Sequence, residues 1–278
     1  MTDGLQRIAE AFERARADGR AAFMPYMMGG FPDLEASRRI ALAYADGGAD
    51  LVELGVPFSD PLADGPVIQA AGTRALAAGT TVAGVLDVCQ TLAERLPVIV
   101  MAYVNLVLAR GVERFARELA EAGASGLIVP DLPLEESGEL REACDAAGVA
   151  LVPLVAPTTP DDRMAAIGAQ ARGFLYTVSV TGTTGERATL QDAFADVIAR
   201  AKASTAVPVA LGFGISAPEQ AVAAASAGAD GVIAGSRLVR EAAEAVDAGH
   251  DPAEAVRAVV AAFREALAAD AASRLPGS

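Results

Sequence analysis

Gly48-Ala49-Asp50-Leu51-Val52-Glu53-Leu54 is the stretch from which the fold is read. A turn of small residues opens it, and a short apolar run with one carboxylate follows. Glycine at the turn suits a left-handed cap on a preceding helix. A continuous apolar run suits a parallel strand covered on both faces. The same turn recurs as Gly123-Ala124-Ser125 and Gly228-Ala229-Asp230, each time before another apolar run. Outward from these points, strands are expected at 22–28, 51–54, 98–103, 126–129, 150–154, 173–178, 207–211 and 231–234. Helical stretches are expected at 34–46, 112–121, 135–146, 191–202, 218–227 and 253–269, with two more at 65–78 and 82–96.

Eight such βα units fit a (β/α)8 TIM barrel, with additional helices between the second and third strands. A doubly wound sheet is the runner-up. The uniform units and the absence of any linker favour a single barrel domain over residues 1–278. A further helix at 5–17 is expected to cap the barrel bottom, and the Ala-rich tail after Ala269 to fray.

Composition removes several classes of function. With 22 basic and 36 acidic side chains the net charge is −14, which is wrong for nucleic acid or an anionic membrane surface. The longest apolar run, 98–109, is broken by Asn105 and falls short of the ~20 residues that a bilayer demands. One histidine, His250, and two cysteines, Cys89 and Cys144, cannot assemble a zinc site of several His or Cys ligands. The cysteines lie far apart with no CxxC, and the first residues carry no signal-like pattern. A cytoplasmic protein is therefore expected. Lys202, the only lysine, falls at a helix end, away from where a barrel places a Schiff base.

Barrel chemistry sits at the C-terminal ends of strands, so the residues there are the candidates. Glu53 is a carboxylate inside an apolar strand. It is either a structural acid held by backbone N–H groups or a general acid/base with a pKa raised by burial. Asp60 and Asp64 in the following loop either cap turns or carry chemistry. Tyr26, Tyr103 and Tyr176 either line a pocket or pack the core. Gly212-Phe213-Gly214-Ile215-Ser216 and Ala234-Gly235-Ser236 follow the last two strands, where such barrels bind phosphate through backbone N–H groups and a helix N-terminus. The loop Ser179-Val180-Thr181-Gly182-Thr183-Thr184-Gly185 is read either as a lid or as a plain polar connection.

The string from Val52-Glu53-Leu54-Gly55 through Pro66, with GFGIS, AGS and TGTTG in order, closely resembles the tryptophan synthase α-chain family over about residues 5–269. The resemblance implies a lyase of tryptophan biosynthesis that splits indole-3-glycerol phosphate into indole and D-glyceraldehyde 3-phosphate. It implies a β-subunit partner in an α2β2 heterotetramer. Pyridoxal phosphate is expected only in that partner, with no cofactor or metal in this chain. By position, Glu53 resembles the family's acid/base, and Asp64 the carboxylate that accepts the indole N–H. Tyr26 corresponds to an aromatic of the pocket wall. Tyr176 corresponds to a tyrosine by the glycerol, and Thr184 to a threonine that meets the Asp64 loop. Gly185, Gly214, Gly235 and Ser236 correspond to phosphate-binding positions. Val180 stands where the family often has arginine, so no role is carried over to it.

Three rival readings remain at this level. One is another phosphate-binding barrel, such as an isomerase, which would lack the Glu53–Asp64 loop. The others are a lyase that releases free indole without a partner, and a non-catalytic barrel that only activates one.

Overall fold

The structure is a computed structural model and describes residues 3–179 and 190–274. Its strands are β1 (Ala22–Met28), β2 (Val52–Gly55), β3 (Val98–Met101), β4 (Gly126–Ile128), β5 (Ala150–Leu151), β6 (Leu154–Val155), β7 (Leu175–Val178), β8 (Val209–Gly212) and β9 (Gly231–Ala234). All neighbours pair in parallel, in the order β5-β4-β3-β2-β1-β9-β8-β7-β6.

That order begins and ends on two halves of one segment, interrupted at Val152-Pro153. The Val152 N–H still donates to Leu127 O of β4 at 2.9 Å, and Pro153 O still accepts from Tyr176 N–H of β7 at 3.0 Å. The sheet therefore closes on itself into a (β/α)8 barrel with eight strand positions. The single strand expected at 150–154 is divided because proline brings a carbonyl but no N–H to the ladder.

The helices are α1 (Gly4–Ala17), α2 (Leu34–Asp46), α3 (Pro66–Ala77), α4 (Val82–Ala93), α5 (Val104–Arg110), α6 (Val112–Glu121), α7 (Gly138–Ala147), α8 (Asp161–Ala169), α9 (Leu190–Ser204), α10 (Pro218–Ser226), α11 (Ser236–Asp247) and α12 (Pro252–Arg274). Asp33 starts α2 by accepting the Ala36 N–H. The helix ends at Gly47, and Gly48 turns left-handed at φ 92°, as the turn before β2 requires.

Helix α1 covers the lower mouth of the barrel. Ile8 and Phe12 are buried, and the Phe12 ring centroid lies 5.7 Å from that of Phe174. An added Cβ on Gly231 of β9 would lie 2.8 Å from the Phe12 ring, so the bare backbone there makes room for it. Arg7 donates to Ala93 O, Leu96 O and Gly123 O, carbonyls at helix ends that favour a cation. Arg20 grips Asp50 through both terminal guanidinium nitrogens, and Asp50 also accepts the Phe23 N–H. The paired groups lie at the starts of β1 and β2.

Four elements differ from the expectation. Helix α5 occupies the second half of the apolar run 98–109, directly after the expected strand 98–103, and was not expected. An apolar run has the same composition in either state, and what starts the helix is distant: Asp131 accepts the Val104 N–H at 2.9 Å. Helix α8, opening with Asp161 and Asp162, was not expected. Helix α11, after the AGS motif, runs from Ser236 to Asp247, where only a short helical stretch over 237–241 is expected from the sequence. Helix α12 continues to Arg274, whereas the tail was expected to fray from about Ala269; Ala271 is buried. Among the described residues no single helix is long and apolar enough to cross a membrane.

Candidate active site

A cavity of about 540 Å³ opens at the C-terminal ends of the strands. Tyr26 enters it from β1, Glu53 from β2, Met101 from β3, Tyr176 from β7 and Ile233 from β9. The loop after β2 adds Ala63, Asp64 and Gly65. The turn after β8 adds Phe213 to Ser216, and the start of α11 adds Gly235 and Ser236.

Glu53 is 3% exposed. Among the described residues no donor reaches its carboxylate. Burial, and secondarily the nearby Asp64 carboxylate, raises its pKa to about 8. At neutral pH Glu53 therefore holds a proton. The half-buried Asp64 is also raised from the ordinary value by burial, and the Tyr103 hydroxyl pulls it back down. The two acids thus occupy different environments, with opposing influences acting only on the second.

The tyrosines divide. Tyr26 is buried with its hydroxyl against the backbone of Gly55, and Tyr176 is buried with its hydroxyl against Gly212. Neither glycine has room for a side chain. Burial raises both phenols well above their ordinary pKa, so both stay neutral. Tyr103 does not line the cavity. It stands behind the Asp64 loop, where its hydroxyl accepts the Ala63 N–H at 3.0 Å and its ring stacks on Phe58 at 5.3 Å.

Two helices start near the cavity, and they are not equivalent. Just ahead of α10 the Gln220 side chain accepts from Ser216 N–H and Ala217 N–H, so these two amides are already used. At α11 the N-cap is Gly235, and no side chain caps it. The α10 N-cap, Ala217, has no side-chain cap either, but among the described residues no side chain takes the amides leading into α11, so the more open end, with its partial positive charge, is that of α11. The turn between is fixed from β7: Ser179 Oγ donates to the Phe213 carbonyl, and Phe213 is held at φ 64°. Phe213 and Ile215 line the cavity from within the stretch read as a phosphate site, while Ile68, Met101 and Ile233 line it without having been singled out from the sequence. For Met101 and Ile233 the available signal was their position at or near the end of a strand; Ile68, inside α3, gave none.

The other sequence candidates fall elsewhere. Asp60 is exposed and bonded to the Ser59 hydroxyl. His250 is exposed before α12. Lys202 pairs with Asp230 at 3.0 Å, at the opposite end of the barrel. Cys89 and Cys144 are buried free thiols within α4 and α7. Thr184 and Gly185 lie outside the described residues, as does Val180. Among the described residues no group of three or more His, Cys, Asp or Glu side chains converges as a metal site would require.

Comparison with known proteins gives the same picture over the whole barrel. The family model described as Tryptophan synthase alpha chain matches residues 12–268. A tryptophan synthase alpha chain of Prochlorococcus marinus is 53% identical over 240 residues, covering 86% of this chain and 87% of that protein. One from Synechococcus elongatus is 50% identical over 237 residues, covering 84% and 89%. Among solved structures, tryptophan synthase of Mycobacterium tuberculosis superposes with a TM-score of 0.85 at 37% identity, covering 94% of this chain and 98% of that one. The α subunit of Legionella pneumophila gives 0.86 at 36% identity, with the same coverage. A closed barrel, a buried acid facing an acidic loop and matches of this extent leave one assignment: the chain belongs to the tryptophan synthase alpha chain family.

Proposed function

We propose that this chain is the lyase subunit that cleaves indole-3-glycerol phosphate to indole and D-glyceraldehyde 3-phosphate. The observation that carries the reading is the buried Glu53, proton-bearing at neutral pH and facing Asp64 across one cavity. Indole cannot leave as a C3 carbanion. Protonation at C3 converts the ring to an indolenine, whose iminium nitrogen takes the electrons of the breaking C–C bond. Glu53 supplies that proton, and Asp64 accepts the indole N–H and stabilises the positive charge. The Glu53 carboxylate, now charged, takes the proton from the glycerol hydroxyl as the aldehyde forms. Acid and base are restored together, with no metal, lysine or cofactor in the cycle.

The remaining positions follow. Gly214, Gly235 and Ser236 hold the phosphate, for which the uncapped α11 end is the suitable partner. Tyr26 forms the pocket wall and Tyr176 faces the glycerol chain. Thr184 and Gly185 complete the site from the loop after β7. Tyr103 acts on Asp64 rather than on the substrate. Indole passes to a β subunit carrying pyridoxal phosphate, in a cytoplasmic α2β2 assembly. Leu62, 82% exposed, and Leu108, 59% exposed, lie on segments leaving β2 and β3 and support a covered apolar rim there.

The deciding experiment measures indole release by the purified chain, alone and with a β subunit. Slow release that the β subunit accelerates is the expected result. No release in either condition overturns the activity, and full activity alone overturns the partnership.

A further inference from the structure

We propose that Tyr103 is the positioning residue of Asp64: through one hydroxyl it fixes the backbone of the Asp64 loop and orients the Asp64 carboxylate. The inference rests on the proposed role of Asp64 and extends it to a side chain outside the cavity. Sequence position placed Tyr103 among residues that line a pocket or pack the core, and the structure gives it another task.

Tyr103 is 2% exposed and directly precedes α5. Three contacts hold it. Its ring stacks on Phe58 at 5.3 Å with a 27° tilt, which ties it to the start of the acidic loop. The next residue, Val104, donates its N–H to Asp131 at 2.9 Å, which ties it to the segment after β4. Its hydroxyl oxygen accepts the Ala63 N–H at 3.0 Å. With a lone pair occupied there, the O–H is left to the adjacent Asp64 carboxylate. An N–H to O–H to carboxylate chain polarises along its length and strengthens each member.

The charge balance around Asp64 gives this hydroxyl its importance. The titratable groups facing Asp64 are Glu53 from β2, Tyr26 from β1 and Tyr103 from beyond β3. Among the described residues no cation joins them. Burial pushes the Asp64 carboxyl up, and the Tyr103 hydroxyl is what opposes it. Gln69 steadies the same loop by donating to the Asp64 carbonyl at 2.8 Å, but that bond does not reach the carboxylate.

The test is Tyr103→Phe, which keeps the ring and its stacking and removes only the hydroxyl. Indole release should fall at least tenfold in kcat with KM within about threefold, and the acid limb of the kcat profile should move to higher pH. In an Asp64→Asn background the same substitution should cost less than threefold. A raised KM with unchanged kcat would make Tyr103 a substrate contact and overturn the proposal. So would an acid limb that does not move. The Asp64 carboxyl is also titrated by ¹³C NMR in the chain with intact Tyr103 and in Tyr103→Phe, without substrate. A higher Asp64 pKa in the variant supports the positioning role even if the chain releases no indole, and an unchanged one refutes it even if the chain is a lyase.

Discussion

Glu53 on β2 and Tyr26 on β1 are partners in the parallel ladder. Both side chains line the cavity, and the Tyr26 hydroxyl rests on Gly55, two residues beyond Glu53. The phenol is thereby wedged beside the acid. A neutral aromatic wall keeps water from Glu53, and the loss of hydration raises its pKa to about 8.

Replacing Glu53 with Gln preserves shape and removes the proton donor. Indole release should fall by ~10²–10⁴-fold, the usual contribution of a general acid/base, while binding of a substrate analogue persists. Steady-state kinetics and calorimetric titration separate the two. Turnover at the unsubstituted rate would dismiss Glu53 as the acid.

The same residue links stability to pH. Unfolded, Glu53 titrates near the ordinary 4.5, and folded near 8. Between those values the native state binds the extra proton, so the contribution is fully present below about 4.5 and is lost as pH rises through 8. Glu53→Gln should therefore melt progressively higher than its parent as pH is raised across this window. Thermal melts at pH 5 and pH 8.5 test it, and a constant difference between the two chains would contradict it.

Activity should follow a bell. The step at C3 needs neutral Glu53 and ionised Asp64, so kcat/KM should decline above about pH 8 and again on the acid side as Asp64 protonates. Asp64→Asn should lose ~10²–10³-fold in rate, the range typical of removing a group aimed at developing charge. A loss below threefold would remove Asp64 from the reaction.

Gly55→Ala places a methyl group against the Tyr26 ring, with its Cβ 2.7 Å from the ring carbon that carries the hydroxyl. Overpacking of this kind costs about 1–3 kcal/mol, and the displaced ring should disturb Glu53 as well. Denaturant unfolding reads the first effect and a shifted basic limb reads the second. Tyr26→Phe in that background should recover part of the stability.

At the barrel bottom, Arg20 is 4% exposed and Asp50 12%. Asp50→Asn leaves the buried guanidinium with the half-exposed Asp18, 3.1 Å away, as its charged partner, and should cost about 3 kcal/mol, the low end of the range for breaking one side of a buried pair. Urea unfolding measures it. Catalytic rates of the folded fraction should be unchanged, because the pair lies at the opposite end of the strands from the cavity.

Much of this arrangement was legible in the chain itself. The turns at Gly48, Gly123 and Gly228 all proved left-handed, because a helix-to-strand turn with positive φ leaves a strong local mark. β1, α2, α6 and β9 have the expected bounds. What stayed hidden was set by distant partners. Asp131 starts α5 from another unit, Gln220 takes the two amides just ahead of α10, and Tyr103 is turned behind a loop rather than into the cavity. Periodicity reports which face of an element is apolar. It does not report which of two helix ends is already filled, or which atom a hydroxyl meets across the barrel.

The closure of the sheet through Val152-Pro153 also restricts how this protein can meet another. Seven strands have neighbours on both sides, and the two-residue halves β5 and β6 share the remaining position, so among the described residues no long row of unpaired backbone N–H and C=O groups is offered to an incoming chain. Recognition by strand addition would have only these two-residue segments to extend. A partner must read side chains on the rim loops and helices, so its affinity can be tuned residue by residue without any change to the barrel.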